Sequence, residues 1–233
     1  MKAYIVHSHN KTLKERKEYF LYNIPVLILN PLPNHINIEN VLSDLKDLVP
    51  YNLFNELDGI YIGEFPELKE RDIHAMFKDD AIYLSSFSEH PDIDEYLIVG
   101  NIVHELGHLL EDKYHYEIYG DETIEKEYIG KKKKLLDILK ANGISFPGIG
   151  NLFFSDNMVD ELDDFLFNQI GYDSLLSITP GLFLSPYSVT SLREYFANGF
   201  EEYVNGDEGY LKEISLSVFN KLESFFKELR YEI

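Results

Sequence analysis

The chain has 233 residues, 45% of them hydrophobic and 27% charged, which is enough for a substantial buried core and unlike a disordered segment. A formal charge of −20 disfavours nucleic acid and anionic membrane as partners, and no stretch approaches the length of a membrane span. The absence of cysteine excludes a disulfide framework and thiolate chemistry, so any metal must be held by His, Asp or Glu.

The N-terminal stretch MKAYIVHSHNKTLKERKEYF does not read as a secretory signal, because its apolar run ends at Val6 and polar residues follow at once. The expected location is therefore cytoplasmic, host-cell intracellular or virion-associated. Tyr22–Asn30 predicts a buried strand bounded by Pro31 and Pro33. Ile38–Leu48 predicts a helix and Tyr51–Leu57 a shorter helical turn. Asp58 and Gly59 turn the chain into a strand over Ile60–Phe65. The following stretch reads as irregular until Asp79 and Asp80, which lead into a strand over Ala81–Ser86.

Asp92 and Glu95 make a capping pair for a long helix from Ile93 to Ile118. Its Leu97, Ile98, Ile102, Val103, Leu106, Leu109 and Leu110 are spaced for one broad apolar face. Further helices are expected at Thr123–Ala141, Asn157–Ile170, Thr190–Val204 and Glu208–Leu229. Strands followed by helices predict an α+β fold in a single domain, residues 1–233, with 1–57 as an N-terminal strand and helix portion and 58–233 as the core.

The long helix carries HELGH at residues 104–108. His104 and His108 are four apart, so their imidazoles stack on one helix face and can share a zinc ion. Glu105 stands beside them, placed to take a proton from a water activated by the metal. With eight histidines in the chain, a chance HExxH is expected on the order of once in a hundred such sequences.

A catalytic zinc needs a third protein ligand. His115 lies about 10 Å further along the same helix and is too distant to share the ion. Two later carboxylates compete. Glu194 stands in the first turn of an amphipathic helix whose small Ala197 permits close helix approach; Glu161 sits in the acidic run NMVDELDDF, which also reads as a solvated face. Glu111 and Asp112, a turn beyond His108, are candidates to orient an imidazole. Glu122, Glu125 and Glu127 read as surface charges paired with Lys131–Lys134 by helical spacing. His7, His9, His35, His74 and His90 have no ligand spacing.

HELGH, with Tyr187 and Glu194-Tyr195-Phe196-Ala197 far downstream, resembles the catalytic domain of anthrax lethal factor and the related Pro-Pro endopeptidases, over roughly residues 58–230. The resemblance implies a zincin-type metallopeptidase domain: a small twisted sheet with an edge strand over the long HExxH helix, then a helical C-terminal half. It implies Zn2+ held by His104, His108 and Glu194, and Tyr187, seven residues before Glu194, donating a hydrogen bond to the developing oxyanion. The strands IYIGEF and AIYLSS resemble the family's sheet, with the substrate lying extended along Ala81–Ser86. The expected activity is zinc-dependent hydrolysis of peptide bonds in a peptide or protein substrate. The alternative is a non-catalytic protein with a structural zinc site, in the manner of metallopeptidase-like proteins of tailed bacteriophages. A structural zinc needs neither Glu105 nor Tyr187, which favours the enzyme.

Overall fold

In the computed structural model, which describes residues 16–87 and 92–231, the chain divides into two units, Met1–Leu109 and Leu110–Ile233. The fold is α+β, with a five-stranded mixed sheet in the first unit and helices throughout the second. Among the described residues no helix is long and apolar enough to cross a membrane. The N-terminal residues up to 15 lie outside the described residues, as do His7, His9 and His90.

The first unit begins with a hairpin of β1 (Lys17–Leu21) and β2 (Ile24–Ile28), turned at Tyr22, whose φ is 57°. The expected strand over Tyr22–Asn30 is thus shorter, and β1 is an addition; its exposed Lys17 and Glu18 hide it from a search for apolar runs. Helix α1 (Ile38–Leu48) has the expected bounds. Asn37 caps it by accepting from the Glu39 amide at 3.0 Å, and it buries Ile38, Val41, Leu42 and Leu45. A turn of helix, α2 (Tyr51–Phe54), leads to β3 (Gly59–Gly63), α3 (Pro66–Glu70), β4 (Ala75–Lys78) and β5 (Ala81–Ser85).

The strand order is β1-β2-β3-β5-β4, with β2, β3 and β5 parallel and the outer two strands antiparallel to their neighbours. Register places Val26, Ile60 and Ile82 in one row and Ile28, Ile62 and Leu84 in the next, all nearly or fully buried. On the opposite face Tyr61 and Tyr83 stack at 5.3 Å. This order corrects the expectation for Ala81–Ser86: β5 lies inside the sheet, and the edge beside it is β4, in the stretch read as irregular. Four residues with an exposed Lys78 carry too little pattern to announce a strand. Asp79 and Asp80, with φ of 50° and 57°, form the tight turn that folds β4 back on β5.

The long helix α4 spans Glu95–Lys113, and Tyr114 (φ −120°, ψ 32°) separates it from α5 (His115–Tyr119). The single helix expected over Ile93–Ile118 is therefore broken, at the point where the Tyr114 ring packs on Phe225 at 4.9 Å. Leu97, expected on the buried face, is 48% exposed, and Val99 is buried instead.

The second unit continues with α6 (Thr123–Ala141), a 3₁₀ turn (Gly150–Phe154) and α7 (Asp160–Asp164), which widens into a π-turn (Phe165–Ile170) ended by Gly171 at φ 83°. Then come α8 (Tyr172–Ile178), a 3₁₀ turn (Tyr187–Val189), α9 (Leu192–Asn205), α10 (Glu208–Ile214) and α11 (Leu216–Tyr231). The helix expected over Glu208–Leu229 breaks at Ser215 (φ −136°, ψ 65°). The break starts α11 afresh, and Glu127 satisfies its first turn by accepting from the Ser217 amide at 3.0 Å.

Helix α6 departs most from its expected chemistry. Glu122 pairs with Lys126 at 2.9 Å rather than with Lys131–Lys134, and Glu127 accepts from the Tyr195 hydroxyl at 2.7 Å. Lys131 and Lys132, expected on the surface, are buried. The Lys131 ammonium donates to the carbonyls of Leu182 and Ile214 and lies 5.6 Å from the Tyr195 ring centre. Lys132 donates to the Ser155 carbonyl at 2.9 Å and lies 5.1 Å from the Tyr128 ring centre. Lys131 thus ties α6 to the Leu182 loop and the end of α10, and Lys132 ties it to the segment after the first 3₁₀ turn.

Burial pushes both ammoniums down, to about 8, from an ordinary value near 10.5. The unfolded chain keeps these protons up to about pH 10.5, so stability rises with pH from about 8. Burial also raises the Tyr128 and Tyr195 hydroxyls, and their contribution is lost above about pH 10, which closes the window. Urea unfolding at pH 7.5 and 9.5 is expected to show the wild type gaining about 1 kcal/mol relative to Lys132→Met, allowing for the water that still reaches the ammoniums.

Gly199 lets α9 and α11 approach: a Cβ there would lie 2.6 Å from Cγ1 of Val218. Alanine in mid-helix gains up to about 1 kcal/mol of propensity, while forcing a methyl into a packed contact costs about 1–3 kcal/mol. The clash wins, so Gly199→Ala is expected to melt roughly 2–6 °C lower, with part of the loss restored by adding Val218→Ala.

Candidate metal centre

Helix α4 is anchored before its polar side chains appear. Asp94, not Asp92, caps it, accepting from the Leu97 amide at 2.8 Å. Glu95 instead takes the Asn37 amide at 2.7 Å and the Asn40 side chain at 3.0 Å, bonds that hold its carboxyl below the usual range. His35 adds a bond to the Ile93 carbonyl at 2.7 Å, a structural role that its sequence position did not announce. Ile98, Val99, Ile102, Val103, Leu106, Leu109 and Leu110 are then buried along one broad stripe of the helix.

His104, Glu105 and His108 come together beside this stripe. One ligand atom from each lies within 4.8 Å of the other two. The two imidazole rings meet edge to face, centres 4.9 Å apart and planes 84° apart. His108 and Glu105 are each 7% exposed, and His104 is half-buried. Glu105 Oε2 accepts from the main-chain N–H of Phe77, on β4, at 2.7 Å. This group of two imidazoles and a carboxylate could hold a metal ion. Nitrogen and oxygen donors of this kind suit zinc.

The second unit places the other candidates. Glu194 is half-buried in the first turn of α9, where Ser191 caps the helix by accepting from the Glu194 amide at 3.1 Å. Tyr187 opens the 3₁₀ turn just before this helix. That turn is pinned to α9: Ser185 accepts from the Ser188 amide and donates to Asn198 Oδ1 at 2.8 Å, while Asn198 donates to the Glu194 carbonyl at 2.8 Å. The Tyr172 hydroxyl, which donates to Asp163 at 2.7 Å, is raised by burial, by Asp163 and by the nearby Tyr187 and Glu194. The turn that opens with Tyr187 is thus held against the helix that carries Glu194. Glu161 is exposed on α7.

Glu111 and Asp112 separate clearly. Asp112 is exposed, whereas Glu111 is 8% exposed, accepts from the Tyr119 hydroxyl at 2.9 Å and faces the Arg193 guanidinium at 3.4 Å. Burial and the Glu111 charge push the Tyr119 hydroxyl up. His115 is exposed and packs on Tyr119, and His74 packs on Phe87.

The group that sequence reasoning missed is the Phe77 amide. A main-chain donor leaves no side-chain signature; its only trace was Asp79-Asp80, a turn that could have folded AMFK back along AIYLS. Compared with protein-family models, curated proteins and solved structures, the chain matches none.

Proposed function

We propose that this protein is a zinc-dependent endopeptidase of the zincin type, related to the lethal factor and Pro-Pro endopeptidase group. The observation that carries the reading is the gathering of His104, His108 and Glu105 on one buried stretch of helix. His108 and Glu105 are buried side by side with the half-buried His104 next to them, a donor set that could hold a metal ion. In this reading His104 and His108 hold the zinc, and Glu194 is the third ligand that the sequence favours. The half-buried setting of Glu194 supports it over the exposed Glu161.

Zinc so held would supply Lewis acidity, polarising the scissile carbonyl and lowering the pKa of water to roughly 7. Glu105 accepts the proton from the attacking water and delivers it to the leaving amine. The buried setting of Glu105 keeps bulk water from competing for that proton. Tyr187 donates a hydrogen bond to the oxyanion, a role worth about 2.7–4 kcal/mol for donors of this type. The substrate is an extended peptide that pairs with β4, one of the two sheet edges, at groups other than the Phe77 N–H that Glu105 occupies.

The test is incubation of the zinc-loaded protein with a peptide library made by digesting a whole proteome, with products read by mass spectrometry. The reading expects new internal cleavages that disappear with a chelator and return with zinc. Tight zinc binding without any cleavage would favour the structural alternative.

A further inference from the structure

We propose that the main-chain N–H of Phe77 positions the Glu105 carboxylate, holding Oε2 on the outer edge of β4 and leaving Oε1 to handle the proton. The inference rests on reading Glu105 as the general base.

The register of the hairpin fixes where the Phe77 amide points. In an antiparallel pair, alternate residues aim their N–H and C=O at the partner strand and away from it. The His74 carbonyl accepts from the Ser85 amide at 2.8 Å, so His74 faces the partner. Met76 and Lys78, two and four residues on, face it likewise, opposite Tyr83 and Ala81. Phe77 must then direct its N–H outward, and β4 is the last strand of the sheet. An outward amide on an edge strand ordinarily meets water or another strand. Here it meets a carboxylate that is 7% exposed, at 2.7 Å.

The bond is of the short, charge-assisted kind, and its donor belongs to a strand paired along its other side. A glutamate side chain has three rotatable bonds, and a base that must reach one proton loses rate when it wanders. A fixed donor on one oxygen removes that freedom and selects which oxygen faces the reaction. The strand edge thus becomes part of the catalytic geometry, through a group no side-chain motif reveals.

Phe77→Pro deletes this N–H and leaves the ladder to β5 intact, since an outward edge position is where a strand tolerates proline. Phe77→Ala serves as the reference for the lost ring. On a peptide that the wild type cleaves, the proline variant is expected to have kcat about 10–100-fold below the alanine variant. KM and the zinc Kd should stay within about threefold, a split that general loss of structure would not give. A second measurement needs neither metal nor proline: amide hydrogen exchange in wild type and Glu105→Ala. The Phe77 amide is expected to exchange at least about tenfold faster in Glu105→Ala, with Met76 and Lys78 unchanged.

Equal exchange at Phe77 in the two proteins overturns the proposal, as does a proline variant with the kcat of the alanine variant. A wild type that cleaves nothing, while its Phe77 amide still responds to Glu105→Ala, overturns the general-base reading beneath it.

Discussion

Glu105→Gln is expected to cleave peptide about 10³-fold more slowly than the wild type while binding zinc with unchanged affinity. Glutamine has the same shape, and its amide oxygen can still accept from the Phe77 N–H, so the local structure should survive. What it lacks is a basic oxygen for the proton. Steady-state kinetics on a library-derived peptide, with a zinc titration of the same preparation, separates the roles. A parallel fall in zinc affinity would make Glu105 a ligand; undiminished cleavage would remove it from the reaction.

The second large effect concerns the histidines. His104→Ala and His108→Ala are each expected to fall from about one bound zinc per chain to below about 0.1, measured by plasma mass spectrometry after dialysis against limiting zinc. Helix α4 should survive either change, because its stability comes from the aliphatic stripe, and far-ultraviolet circular dichroism checks this. Glu194→Ala and Glu161→Ala belong in the same series. Loss of zinc is expected for Glu194→Ala and full retention for Glu161→Ala. The opposite pattern would move the third ligand to α7.

The grouping of His104, Glu105 and His108 was legible because the three lie on one helix. HELGH fixes its own geometry through helical periodicity, and the aliphatic residues around it announce burial without reference to the rest of the chain. The α+β class was legible for a similar reason: Val26, Ile60 and Ile82 sit in short apolar runs bounded by turn residues, the pattern of buried strands. The edge strand was not, because AMFK is short, half-exposed and held by a turn whose two aspartates adopt positive φ. The sequence resembling the expected edge, AIYLS, is apolar because it lies between two other strands. Lys131 and Lys132 misled for a different reason. On α6 they have the spacing of solvated charges, and the carbonyls of Ser155, Leu182 and Ile214, far away in sequence, together with the rings of Tyr128 and Tyr195, receive the buried ammoniums. The helix that restarts after Ser215 has its first turn satisfied by Glu127, a partner no local pattern identifies.

X-ray absorption at the zinc edge of the loaded wild type would look straight at the first ligands. The account predicts a low-coordinate shell of nitrogen and oxygen at about 2.0–2.1 Å with the outer-ring scattering of two imidazoles. A shell of oxygen alone, without imidazole scattering, would mean that the ion sits elsewhere and that HELGH holds no zinc.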